Sequence, residues 1–76
     1  MYVYMQVADD IAAQITAGRL KSGAMLPSER DIAALYGVAY LTARRAVKEL
    51  RDRGLVTTLP AKGTYVQPQQ PLPPES

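Results

Sequence analysis

The sequence predicts a mainly α domain: three helices closed by a small β-hairpin. Three observations carry this expectation. Apolar residues recur at spacings of three and four in three separate stretches before residue 54. Each stretch is followed by a glycine: Gly18, Gly37 or Gly54. After Gly54 the helical period is lost, and two β-prone runs flank a Pro-Ala-Lys-Gly turn.

The first helix is expected over residues 4–17. Val7, Ile11 and Ile15 lie four apart with Ala8 and Ala12 beside them, which draws one apolar stripe along a helix. Asp9, Asp10 and Gln14 fall on or near the other face. Gly18 suits a C-cap because it enters the left-handed region without a Cβ penalty. Lys21-Ser-Gly23 reads as a turn.

Pro27 biases Leu26 towards an extended backbone. Ser28 can cap the second helix through its hydroxyl, with Asp31 three residues on as a shorter variant of the capping box. Glu29 and Asp31 suit the positive end of the helix dipole. Ile32, Ala33 and Leu35 are expected to form the apolar side. Gly37 should break the helix and Val38 should anchor the turn in the core.

The third helix is expected from about 40 to 53. Ala43, Ala46, Val47 and Leu50 follow the spacing of a buried face, and the two alanines allow close packing against the second helix. Leu41, Arg44, Arg45, Lys48 and Asp52 are left on the surface. Gly54 ends the helix. Leu55–Leu59 and Thr64–Val66 then read as a hairpin with a basic tip. An isolated hairpin is marginal in water, so it must pack on the helices. A helix-turn-helix followed by such a hairpin is a winged helix-turn-helix, whose third helix can enter the major groove of DNA. This domain is assigned residues 1–66. Residues 67–76 contain four prolines and almost no apolar residues, the composition of an extended tail or linker.

Composition narrows the function classes. A chain of 76 residues holds one small domain, which buries about 60% of the surface its unfolded form exposes. It contains no cysteine and no histidine, so thiolate metal sites, disulfides and imidazole general bases are all excluded. No nucleophile–base pair, metal cluster or phosphate-cradling glycine loop is visible, so neither an enzyme nor a cofactor is expected. No apolar run approaches the roughly 20 residues of a membrane span. The start of the chain lacks the basic and apolar regions of a signal peptide, and a cytoplasmic setting is expected.

The net charge of +2 is mild, but its distribution is uneven. Residues 40–62 carry six bases against two acids, whereas residues 1–39 carry three against four. A concentrated basic segment raises the local concentration of a polyanion. The same charges also fit a solvated helix face.

Leu26-Pro-Ser-Glu-Arg30, Ala33, Gly37-Val38, Thr42-Ala-Arg44, Ala46, Leu50, Gly54-Leu-Val56 and Lys62-Gly-Thr-Tyr-Val66 occur in this order and spacing. Together with Tyr4-Met-Gln-Val-Ala8 they resemble the DNA-binding domain of the GntR family of bacterial transcription regulators, over residues 3–66. The resemblance implies sequence-specific binding of double-stranded DNA, a homodimer on a palindromic operator, and an effector bound outside this segment. It implies a DNA contact at Arg30, further contacts at Thr42 and Arg44, and a wing glycine at Gly63. The chain departs from the family pattern at Ala39 and Tyr40, where a hydroxyl residue and an arginine are usual, and at Ala61, often glycine.

These departures have physical consequences. Ala39 has no oxygen with which to cap the third helix, which forgoes about 1 kcal/mol. Tyr40 replaces a five-donor fork with one hydroxyl and a ring, so bidentate reading of guanine there is lost. Leu41 can pack on a thymine methyl. The site expected under residues 40–41 is therefore rich in A·T.

The expected DNA-binding residues are Arg30, Tyr40, Leu41, Thr42, Arg44, Arg45, Lys48, Lys62 and Gly63. Arg45 has Glu49 four residues on and can pair with it instead. Lys48, a turn further from the helix start, suits phosphate. Thr42 can bond phosphate or its own helix backbone. Lys62 can reach the minor groove or adjacent phosphates, and Gly63 permits the turn. Tyr65 is expected in the core, and Tyr2, Tyr4 and Tyr36 carry no separate signal. The alternative reading is a winged-helix protein-interaction adaptor, for which Tyr40 and Leu41 would make the apolar contact. A third is a sequence-blind architectural binder.

Overall fold

The computed structural model describes residues 2–68. Three helices, α1 (Val3–Thr16), α2 (Glu29–Tyr36) and α3 (Tyr40–Asp52), precede a hairpin of β1 (Val56–Leu59) and β2 (Gly63–Val66). The fold is the expected three-helix winged helix-turn-helix. The helix bounds lie within one residue of those read from periodicity. Most of the proline-rich segment, residues 69–76, lies outside the described residues.

α1 and α3 pack against each other, α2 packs on α3, and the hairpin joins at the C-terminal end of α3. The core is formed by Val7, Ala8, Ile11 and Ile15 of α1, Leu26, Ile32 of α2, Ala43, Ala46, Val47 and Leu50 of α3, and Val56 and Val66 of the hairpin. Ala8, Ala43 and Ala46 are fully buried. Small side chains at these contacts let the backbones approach, which a core this modest requires.

The helix ends follow local chemistry. The Ser28 hydroxyl accepts the Asp31 backbone N–H at 3.1 Å, and Glu29 and Asp31 occupy the positive first turn. Gly37 ends α2 at φ +65°, a left-handed backbone that suits glycine. Ala39 precedes α3 and makes no side-chain cap bond.

One apolar assignment in α2 is overturned. Leu35 is 72% exposed, while Ile32 is buried and Ala33 and Tyr36 pack against the core. At 100° per residue, Tyr36 falls closer to Ile32 on the helix surface than Leu35 does. Tyr36 takes the inward place, and Leu35 is turned outward.

The hairpin pairs Val56 with Val66 and Leu59 with Gly63 in antiparallel register. It is not an isolated pair. The stretch before α2 runs along the other edge of β2, with Leu26 N–H donating to Thr64 C=O and Val66 N–H to Ala24 C=O, both at 2.8 Å. Gly23 N–H also donates to Val66 C=O at 2.9 Å, and Met25 bridges Tyr65. Both edges of β2 are thus bonded, which ties the wing to the start of α2. This extended pairing is not apparent from residue patterns, because the segment is too short to show alternation.

Candidate nucleic-acid interface

α3 buries one face and exposes the other. Leu41, Arg44, Arg45, Lys48 and Arg51 line one shallow groove along the exposed face. Their spacing of three and four residues is the helical repeat, here applied to cations. Leu41 is 67% exposed and Tyr40 44%. Arg51 also borders a second groove, which runs from Ser28 and Glu29 to Lys62 and Gly63 on the wing. Arg51 is thus shared by the groove along α3 and the groove that reaches the wing.

The ion pairs divide the cations into two groups. Arg53 donates to Glu49 and Asp9, both at 2.8 Å, and these bonds hold its guanidinium pKa above the ordinary value. Lys48 pairs with Asp52 at 3.0 Å, with both side chains well exposed. An exposed pair of this kind contributes only a few tenths of a kcal/mol. Arg30, Arg44 and Lys62 make no ion pair or side-chain hydrogen bond among the described residues. The Thr42 hydroxyl likewise has no partner there, so it does not bond back to its helix.

Arg45 does not pair with Glu49, which is taken by Arg53. Its guanidinium instead lies 4.4 Å from the centroid of the Tyr4 ring. Tyr2 stacks on Tyr4 with centroids 5.8 Å apart. Tyr40 is also engaged: its hydroxyl donates to Glu29 Oε1 at 3.1 Å, joining the first residues of α2 and α3. The residue pattern places Glu29 at the helix dipole and Tyr4 in the family motif, but it announces neither of these contacts. Each acquires its partner only when helices pack.

The wing is braced internally. Arg51 donates to the Thr58 hydroxyl at 2.9 Å, and Thr58 is bonded to Thr64 across the hairpin. Tyr65 is half-buried rather than in the core, and its hydroxyl donates to the Lys62 carbonyl at 3.1 Å. β-Strand alternation puts Val66 inward and Tyr65 on the other side, along the wing. Gly63 has φ +128°, and a Cβ there would lie 3.2 Å from Met25 Sδ. Among the described residues, no acidic cluster could hold a metal ion and no helix is long and apolar enough to cross a membrane.

The fold and this basic face define a class, the winged-helix DNA-binding domain of a transcription regulator. The family model for "bacterial regulatory proteins, gntR family" matches residues 3–66. The chain belongs to the GntR family. It is 40% identical over 65 residues to the HTH-type transcriptional regulator SmoD of Agrobacterium fabrum, covering 86% of this chain and 28% of SmoD. It is 36% identical over 64 residues to the HTH-type transcriptional repressor NagR of Bacillus subtilis, covering 84% of this chain and 26% of NagR. The chain therefore spans about a quarter of the length of these relatives. Its fold is similar to the crystal structure of AraR(DBD) in complex with operator ORX1, with a TM-score of 0.82 and 29% identity over 87% of this chain and 80% of that one.

Proposed function

We propose that this chain is the operator-binding part of a GntR-type repressor, which inserts α3 into the major groove. The carrying observation is the exposed face of α3, where Arg44 lies among Leu41, Arg45, Lys48 and Arg51 without an acid partner. Tyr40, Leu41 and Arg44 meet base edges near the start of the helix. Arg30, Thr42, Arg45 and Lys48 position the domain on phosphates. Lys62 and the Gly63 backbone meet the wing-side groove or its phosphates.

Two copies bind a palindromic operator. One domain touches few bases, and pairing on one duplex raises the effective concentration of the second copy. The effector binds outside this segment, and the described chain works in the cytoplasm. The Tyr40 phenol proton is engaged by Glu29, and exposed Leu41 beside it can pack on a thymine methyl, which supports an A·T preference beneath residues 40–41.

Selection of binding sites from random duplex DNA tests the reading. The expected result is an inverted repeat with A·T pairs beneath residues 40–41; guanine at those positions overturns that preference. Arg44→Ala is expected to cost about 1–3 kcal/mol and relax specificity at one position. Arg30→Ala should weaken binding evenly across sequences and make it less salt-dependent. Feeble, sequence-blind binding by the parent chain would favour the adaptor reading, for which exposed Leu41 and Tyr40 supply the apolar contact.

A further inference from the structure

Arg45 is the cation on α3 whose partner is an aromatic ring. Glu49, one turn along the helix, is committed to Arg53, and Arg53 is in turn held by Asp9 of α1. That leaves the Arg45 guanidinium over Tyr4, 4.4 Å from the ring centroid, with Tyr2 stacked on Tyr4.

The two kinds of partner differ in what they leave available. A carboxylate uses the N–H edge of a guanidinium and cancels its charge. A ring uses one planar face, leaving both the charge and the N–H edge free. The edge is also the part that forks onto a phosphate. A long side chain already held against a ring loses less freedom when it binds than one free in water.

We propose that Tyr4 is a positioning residue for DNA binding: its ring holds the Arg45 guanidinium by one face and presents the N–H edge to a phosphate. The proposal rests on the DNA-binding reading above. It gives the first turn of α1 a part in the interface that its sequence does not announce. Tyr4 is partly buried against the core, which fixes the ring, while Arg45 is exposed. Tyr2, 72% exposed, stacks on the same ring.

The test uses the whole chain and a mixed-sequence duplex about two helical turns long, because a phosphate contact is sequence-blind. Binding is followed by fluorescence anisotropy over a salt series. Tyr4→Leu keeps an apolar side chain without the ring face and is expected to weaken binding about two- to fivefold. Tyr4→Phe keeps the face and should bind like the parent. Arg45→Ala should lower the salt slope by about one. Adding Tyr4→Leu to Arg45→Ala should then change nothing further. In NMR spectra, the Arg45 side-chain protons should show an upfield ring-current shift that Tyr4→Leu abolishes and Tyr4→Phe retains.

A Tyr4→Leu chain that binds like the parent overturns the proposal and leaves the DNA-binding reading intact. So does an equal weakening in the Arg45→Ala background, or failure of Tyr4→Phe to preserve binding. A parent chain that does not bind duplex DNA overturns both.

Discussion

Ala61 has φ +62°, the one non-glycine residue with positive φ among those described. It follows Pro60 in a turn closed by the Lys62 N–H donating to the Leu59 carbonyl at 3.0 Å. That is the position at which a turn of this kind takes glycine. A left-handed alanine costs roughly 1–2 kcal/mol, offset in part by the lower entropy of the unfolded alanine chain. Ala61→Gly is therefore expected to stabilise the domain by about 0.5–1 kcal/mol. Urea titration reads this directly, and an unchanged or lower midpoint at equal slope would contradict it. Ala39 is a milder case, since its extended backbone suits a cap and lacks only the oxygen.

α1 and α2 are joined by a polar tie as well as by the core. The Tyr36 hydroxyl donates to Asp10 at 2.5 Å, and Gln14 donates to Tyr36 at 3.4 Å. Burial, then the bond and charge of Asp10, push the Tyr36 pKa from 10.0 to about 12. The folded chain thus holds this proton more tightly than the unfolded chain does. The contribution is complete below pH 10 and is lost as pH rises towards about 12. Denaturant titrations across this range should show the parent losing stability relative to Tyr36→Phe, which has no proton to release. Equal pH slopes for the two proteins would refute the linkage. α2 has only eight residues, too few to be stable alone, so its place depends on such contacts.

The domain as a whole rests on one small core, in which Leu50 is fully buried between the helices and the hairpin. Leu50→Ala is expected to cost about 2–5 kcal/mol, through lost transfer energy and the cavity left behind. Domains of this class have total stabilities of roughly 5–15 kcal/mol, so the loss is a large share. Thermal unfolding followed by circular dichroism should show it as a marked drop in midpoint. Leu35→Ser, at a 72% exposed site, should shift stability by no more than about 0.5 kcal/mol. A drop for Leu35→Ser as large as that for Leu50→Ala would mean that the outer face of α2 is covered in solution.

The helices, their glycine stops, the Ser28 cap and the buried face of α3 were legible in the residues. Each depends on chemistry within a few positions of chain, where spacing and backbone preference act directly. Of the exposed cations on α3, Arg44, Arg45 and Lys48 followed from the same period, whereas Arg51, which lines both grooves, was not singled out by it. Contacts between elements were not legible. Arg53 reaches Asp9 across 44 residues, Tyr40 reaches Glu29 across the turn, and Arg45 finds Tyr4 rather than Glu49. The choice among available partners was made by the crossing of α1 with α3 and of α2 with α3, which sets side-chain distances that spacing along one helix does not contain. The same packing turned Leu35 outward and bonded the chain before α2 to the edge of β2. Local periodicity thus established which elements form and the apolar faces of α1 and α3, but it misplaced Leu35 of α2 and Tyr65 of β2. Tertiary packing determined which charges were neutralised and which stayed available, because a charge takes its partner from whatever folding brings within a few ångströms.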